Sequence, residues 1–134
     1  MLMKNIFYAF LVIVGLSSCT KELDTAAKSN SKWVLVAWPG KALPTTAQAT
    51  LNISEGNRIG GKAFCNTYGG NASFNGNSIQ FSQFFSTKMY CNELSEAEAK
   101  FTADLESVNA GKVSGGKLSL MKDGQVLMVF SRAQ

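Results

Sequence analysis

The sequence predicts a mainly β domain carrying one helix. Three observations point there. Apolar and polar residues alternate over 49–55 and 58–65, the period of strands with one buried face. Asn75-Gly76 separates two alternating segments, and Asp123-Gly124 separates 117–121 from 125–131. Such pairs signal tight hairpins, because the central residues of the turn take positive φ. Only 95–108 places its apolar residues three and four apart, which is the spacing of one helix face. At 134 residues the chain suits one domain.

In order, 32–38 reads as a strand apolar on both faces, with Trp33, Leu35 and Ala37 on one and Val34, Val36 and Trp38 on the other. Pro39-Gly40 stops it. The two tryptophans are read as core aromatics in preference to a carbohydrate platform. Ala49, Leu51 and Ile53 form the inner face of the next strand, and Gly56-Asn57 turns it. Ile59, Gly61, Ala63 and Cys65 share a face of the third, where Gly60 and Gly61 indicate a bulge or close backbone approach.

Asn66 and Tyr68 are read as structural, Asn66 bonding turn backbone and Tyr68 packing with its hydroxyl at the edge. The rival reading is a polar site, but neither has an acid, base or charge beside it in sequence. Gly69-Gly70 lacks the lysine and following helix of a phosphate loop. Strands 71–74 and 77–81 flank Asn75-Gly76, and Phe81, Phe84 and Phe85 then form an aromatic patch. Core is the preferred reading of that patch, a ligand-lining wall the alternative.

Ser95 and Glu98 form a capping-box pattern opening a helix over 95–108. Ala97, Phe101, Leu105 and Val108 make its apolar stripe. Glu96, Glu98, Asp104 and Glu106 fall elsewhere and read as a solvated face. Asn109-Ala110-Gly111 ends the helix. The final hairpin turns at Asp123-Gly124 in one of two registers. A two-residue turn puts Leu127 and Val129 with Leu118 and Leu120, whereas a three-residue turn substitutes Met128 and Phe130. The second is preferred, because Phe130 is the largest apolar side chain.

The N-terminus carries a different signal. A short basic start is followed by the apolar run 6–16, too short for the roughly 20 residues of a spanning helix but right for a secretory signal. The run ends in Leu16-Ser17-Ser18-Cys19, which resembles the bacterial lipobox. In that motif the cysteine is acylated and becomes the first mature residue. An ordinary cleaved signal is the competing reading. The expectation is a signal peptide over 1–18, a polar tether over 19–31 and a domain over 32–134, bound to a membrane through lipid on Cys19. Thr20 in place of the aspartate associated with inner-membrane retention favours the outer membrane. Lys21-Glu22 followed by Asp24 loosely resembles the surface-export signal of some bacterial lipoproteins.

Setting Cys19 aside leaves Cys65 and Cys91. Exported domains keep disulfides, so the pair reads as one bridge. Closing that loop contributes roughly 3.5 kcal/mol in the chain-entropy account. Two buried free thiols are the alternative. There is no histidine, and the net charge of +4 shows no lysine or arginine cluster. A nucleic-acid stripe, the commonest metal ligand and the usual general base are therefore missing. No catalytic residue, metal ligand or cofactor motif is identified, and a monomer is expected.

Taken together, several segments resemble one family, the META-domain or HslJ-like envelope proteins. They are Trp33-Val34-Leu35, Arg58-Ile59-Gly60, Cys65-Asn66-Thr67-Tyr68-Gly69-Gly70, Thr87-Lys88-Met89-Tyr90-Cys91, Glu98 with Phe101, and Leu118, Leu120 and Phe130. The resemblance implies antiparallel strands curled toward a barrel with one helix packed on it. It also implies a loose association with heat shock and antibiotic tolerance, and it carries no catalytic residue or agreed ligand across to this chain. Phe64 departs from the family, which more often has glycine before Cys-Asn. The expected function is a non-enzymatic envelope lipoprotein acting as a stress-related structural or interaction module. Alternatives are a binding module that inhibits an envelope-targeting enzyme such as lysozyme, or a carrier of a small apolar ligand.

Overall fold

A strand with one apolar face is unstable alone in water, and closing a sheet on itself buries every such face at once. The computed structural model describes Leu23 and residues 30–134. Eight strands follow in chain order: β1 (Ser31–Ala37), β2 (Thr50–Ser54), β3 (Arg58–Ala63), β4 (Asn66–Asn75), β5 (Ser78–Ser86), β6 (Ala110–Ser114), β7 (Lys117–Lys122) and β8 (Gln125–Arg132). Helix α1 (Ser95–Ser107) lies between β5 and β6. Each strand pairs antiparallel with the next, and β8 returns to β1, so the sheet is a closed barrel. The seam between β5 and β6 is thin, with Ser78 opposite Ala110 as its single pair. Helix α1 packs against β5.

The barrel axis is solid. Trp33, Leu51, Phe101, Leu118, Leu120, Met128 and Phe130 are each at most 1% exposed. Phe101 brings the helix into this core. Its ring lies 5.7 Å from Phe64, 5.8 Å from Tyr68 and 6.4 Å from both Trp38 and Phe130. Leu105 and Val108 continue the stripe expected from their spacing, and both are buried.

The up-and-down order gives the barrel two ends. One carries the β1–β2 loop, the Phe64-Cys65 turn, the segment 87–94, the start of the helix and, by strand order, the Asp123-Gly124 turn. It is called the disulfide end, because Cys65 and Cys91 are bonded there with Cα atoms 6.1 Å apart. The other, the turn end, carries the connections at 55–57, 76–77 and 115–116, the start of β1 and the end of β8.

Several expectations need correction. Strand β1 is covered on one face only: Trp33 and Leu35 are buried, whereas Val36 is exposed. A register shift between Leu35 and Ala37 against β8 then brings Trp38 back to the core. A bulge changes which side chains face inward, which strict alternation cannot anticipate. The β4–β5 turn sits one residue later than Asn75-Gly76. Asn75 pairs with Ser78, and of the central residues Gly76 and Asn77 only Gly76 has positive φ, at 60°. That is the pattern of a II′ turn, with glycine first. Ala110-Gly111 does not merely end the helix but begins β6. A short strand containing glycine carries little alternation to read.

The capping box is absent. Leu94 occupies the N-cap and no side chain caps the helix, because the Glu98 carboxylate is engaged elsewhere. Phe85 is 71% exposed, outside the core. Gln83 at φ 55° and a register shift between Gly69 and Asn71 separate it from inward-facing Phe81. In the last hairpin Phe130 and Met128 are inside, as preferred. The turn is nevertheless a two-residue one, with Lys122 opposite Gln125 and positive φ at Asp123 and Gly124. Leu120 pairs with Met128 while Met121 pairs with Val126, so a bulge at Leu127 sets the face. Leu23, within the stretch read as tether, is 1% exposed and belongs to the core cluster.

Candidate functional site

The residues with the most polar chemistry gather at the disulfide end, around the turn from β3 to β4. The Cys65 N–H donates to the Ala63 carbonyl at 2.9 Å, and Phe64 between them has φ 65°. This is a γ-turn with positive φ, a rare and strained form. It delivers Cys65 to Cys91 and Asn66 to the helix in consecutive positions.

Asn66 is 5% exposed and uses all its side-chain hydrogen-bonding capacity. Its Nδ2 donates to Glu98 Oε1 at 2.7 Å and to the Met89 carbonyl at 3.1 Å. Its Oδ1 accepts from the Met89 N–H at 2.7 Å and from Thr87 Oγ1 at 2.9 Å. The Asn66 N–H donates to Glu98 Oε2 at 2.8 Å. One asparagine thus joins β4, the segment 87–89 and the first turn of α1. The disulfide ties the same segment a second time, two residues further on. The structural reading of Asn66 therefore stands, but the partner missing from its sequence neighbourhood arrives through the fold. Glu98 is that partner and not part of a solvated face. The signal available was its place in the family pattern beside Phe101.

Tyr68 lies on the same strand, and its hydroxyl donates to the Thr50 carbonyl at 2.7 Å. Burial pushes this phenol well above its usual range, so it stays protonated. Across the helix, Asp104 accepts from Trp38 Nε1 at 2.8 Å and pairs with Lys41 at 2.5 Å. This contact closes the β1–β2 loop onto α1, and sequence spacing gave no hint of it. Each of these groups is committed to a structural bond. Among the described residues no three histidine, cysteine or acidic side chains converge as a metal site. None of the described helices is long and apolar enough to cross a membrane.

Beside the Asn66–Glu98 hydrogen bonds an open cleft of about 420 Å³ runs along α1, lined by Asn66, Tyr90, Cys91, Glu98 and Glu106 among others. Met89, 61% exposed, and Tyr90, 83% exposed, stand on its edge, and Phe85 is exposed near the end of β5. Phe85 lies over Gly69, where a Cβ would strike its ring. Cys19 and the segment 1–18 lie outside the described residues, as does most of the stretch 19–31.

With this geometry in view, comparison with known proteins defines the class. The sequence pattern of the META domain matches residues 25–134, and the chain belongs to that family. An NMR structure of a protein from Burkholderia xenovorans is similar, with a TM-score of 0.71 at 22% identity, covering 83% of this chain and 87% of its own. A second NMR structure gives a TM-score of 0.60 at 18% identity, covering 75% of this chain and 87% of its own. Both likenesses concern the fold. No curated protein matches the chain.

Proposed function

We propose that this META-domain chain is a non-enzymatic lipoprotein of the bacterial cell envelope. Lipid on Cys19 holds it to the outer membrane, and its barrel presents a recognition surface to another protein. The observation that carries this reading is a contrast within the molecule. The axis is filled by side chains, while Phe85, Met89 and Tyr90 stand 61–83% exposed at the disulfide end. Large apolar side chains gathered at one end of a barrel support an interaction surface there. Here they sit on or beside a segment held by a disulfide and by Asn66, so a partner would meet a preorganised surface at low entropic cost.

The filled axis disfavours storage of an apolar ligand and supports the inhibitor version as the second reading, in which this rim plugs an envelope-targeting enzyme such as lysozyme. The stress-related role rests on the family resemblance. A photo-crosslinking side chain at position 90, compared with one at position 52 on the outer face of β2, tests the proposal in living cells. A discrete protein adduct from position 90 supports it. Equal, diffuse labelling from both positions sinks it. Inhibition of lysozyme by the purified protein, lost in Tyr90→Ser, would select the inhibitor version.

A further inference from the structure

The turn end of the barrel has a charge and a chain entry that together assign it a role. Lys32, Arg58, Lys112, Lys117 and Arg132 are all exposed. Register places them at this end: Ser54 pairs with Arg58, Trp33 with Arg132, Ser114 with Lys117, Lys112 with Ser119 two positions away, and Lys32 with Asn52. Glu55, in the turn before Arg58, is an acidic side chain in the same region. Glu93, Glu96, Glu98 and Asp104 lie on and before α1 toward the other end, whereas Glu106 lies beside Ser73, Asn75 and Ser78, and Asp123 is bonded to Asn109 next to the start of β5.

The N-terminal segment reaches the barrel at the basic end. A Cβ built on Gly111 would lie 3.0 Å from Leu23 Cδ2 and 3.5 Å from Ile79 Cγ2, which puts Leu23 in the barrel wall at the starts of β5 and β6. Cys19 precedes Leu23 by four positions, a reach of about 14 Å at full extension. From Ile79 to Ser86 strand β5 runs about 23 Å, longer than that reach. The charges of the entering segment, Lys21 and Lys28 against Glu22 and Asp24, cancel in sequence.

We propose that the turn end is a membrane-facing surface, laid against anionic phospholipid headgroups by Lys32, Arg58, Lys112, Lys117 and Arg132. The anchor part rests on the lipoprotein reading; the basic surface does not. The orientation points Phe85, Met89 and Tyr90 away from the bilayer. Each basic residue near an anionic surface changes partitioning by about fivefold, and salt beyond about 0.5 M removes most of that attraction.

The test is a lysine-acetylation footprint of the full, native chain on vesicles of phosphatidylcholine with or without phosphatidylglycerol. Lys32, Lys112 and Lys117 should label at least about fivefold more slowly when phosphatidylglycerol is present, with Lys88, Lys100 and Lys122 unchanged. High salt should erase the difference. Equal labelling of both sets on vesicles that carry the protein overturns the orientation while leaving the anchor intact. A chain that fails to float with neutral vesicles and carries no acyl mass overturns the anchor instead. That unlipidated chain still tests the surface. Co-sedimentation with phosphatidylglycerol vesicles, weakened at least about tenfold by K32E with K117E, supports it, and no binding overturns it.

Discussion

Replacing Phe64 should give an inverted order of stability. Phe64 is 2% exposed, its ring centroid 5.7 Å from both Trp38 and Phe101, and its φ is 65°. Truncation to alanine removes a buried aromatic, which costs about 3–5 kcal/mol, and keeps a Cβ in a positive-φ turn, which costs about 1–2 kcal/mol. Truncation to glycine loses the same packing but releases the strain. Against that, glycine loses more chain entropy on folding, by about 0.5–1 kcal/mol. The balance leaves Phe64→Gly more stable than Phe64→Ala by about 0.5–1 kcal/mol, or about 3–6 °C in Tm for a domain of this size. At Ile59, buried in β3 without positive φ, the usual order should return, with alanine above glycine. Urea unfolding of the disulfide-intact protein, followed by tryptophan fluorescence, measures both pairs. An alanine variant at 64 as stable as the glycine variant would refute the claim that phenylalanine is held there against backbone strain.

Further predictions follow from the same geometry. A Cβ on Gly61 would run into the Thr50 backbone carbonyl, whereas one on Gly69 meets the ring of exposed Phe85. Gly61→Ala should therefore cost about 3 kcal/mol or more, with backbone forced to shift, and Gly69→Ala at most about 1 kcal/mol, since the ring can swing into solvent. Both are read from chemical denaturation midpoints. Glu98→Ala strands the Asn66 N–H and one Nδ2 proton and should cost about 2–3 kcal/mol. Glu98→Gln should recover part of that, and hydrogen exchange at Met89 should quicken in the alanine variant. Reducing Cys65–Cys91, which closes a 26-residue separation, should cost about 3.5 kcal/mol in the loop-entropy account. Thermal melts with and without reductant report it.

The strands with a solvated outer face were legible, because Ala49, Leu51, Ile53, Leu118 and Leu120 alternate without interruption and are all buried. The stripe Phe101, Leu105, Val108 was legible for the same reason at helical period. What escaped were places where the backbone departs from its period. The shift after Leu35 returns Trp38 to the core, and the bulge at Leu127 decides for Phe130 although the turn has two residues. The second of these gave the right inner face for the wrong reason. At the site, Glu98 was misassigned because a capping box and a tertiary acceptor share one sequence pattern. Which donors reach a carboxylate depends on a residue 32 positions away. Asp104 illustrates the same limit, since its partners Trp38 and Lys41 lie 66 and 63 positions upstream.

The claim that organises the functional account is that the chain is exported, lipid-modified at its first mature residue and bridged once within the barrel. Intact-mass measurement of the native protein, extracted from cell membranes without reductant, tests it most directly. The account predicts a chain beginning at Cys19 that carries a diacylglyceryl group and an amide-linked acyl chain, two hydrogens lighter than its reduced form. An unmodified chain beginning at Met1, recovered from the soluble fraction with Cys65 and Cys91 as free thiols, would contradict it.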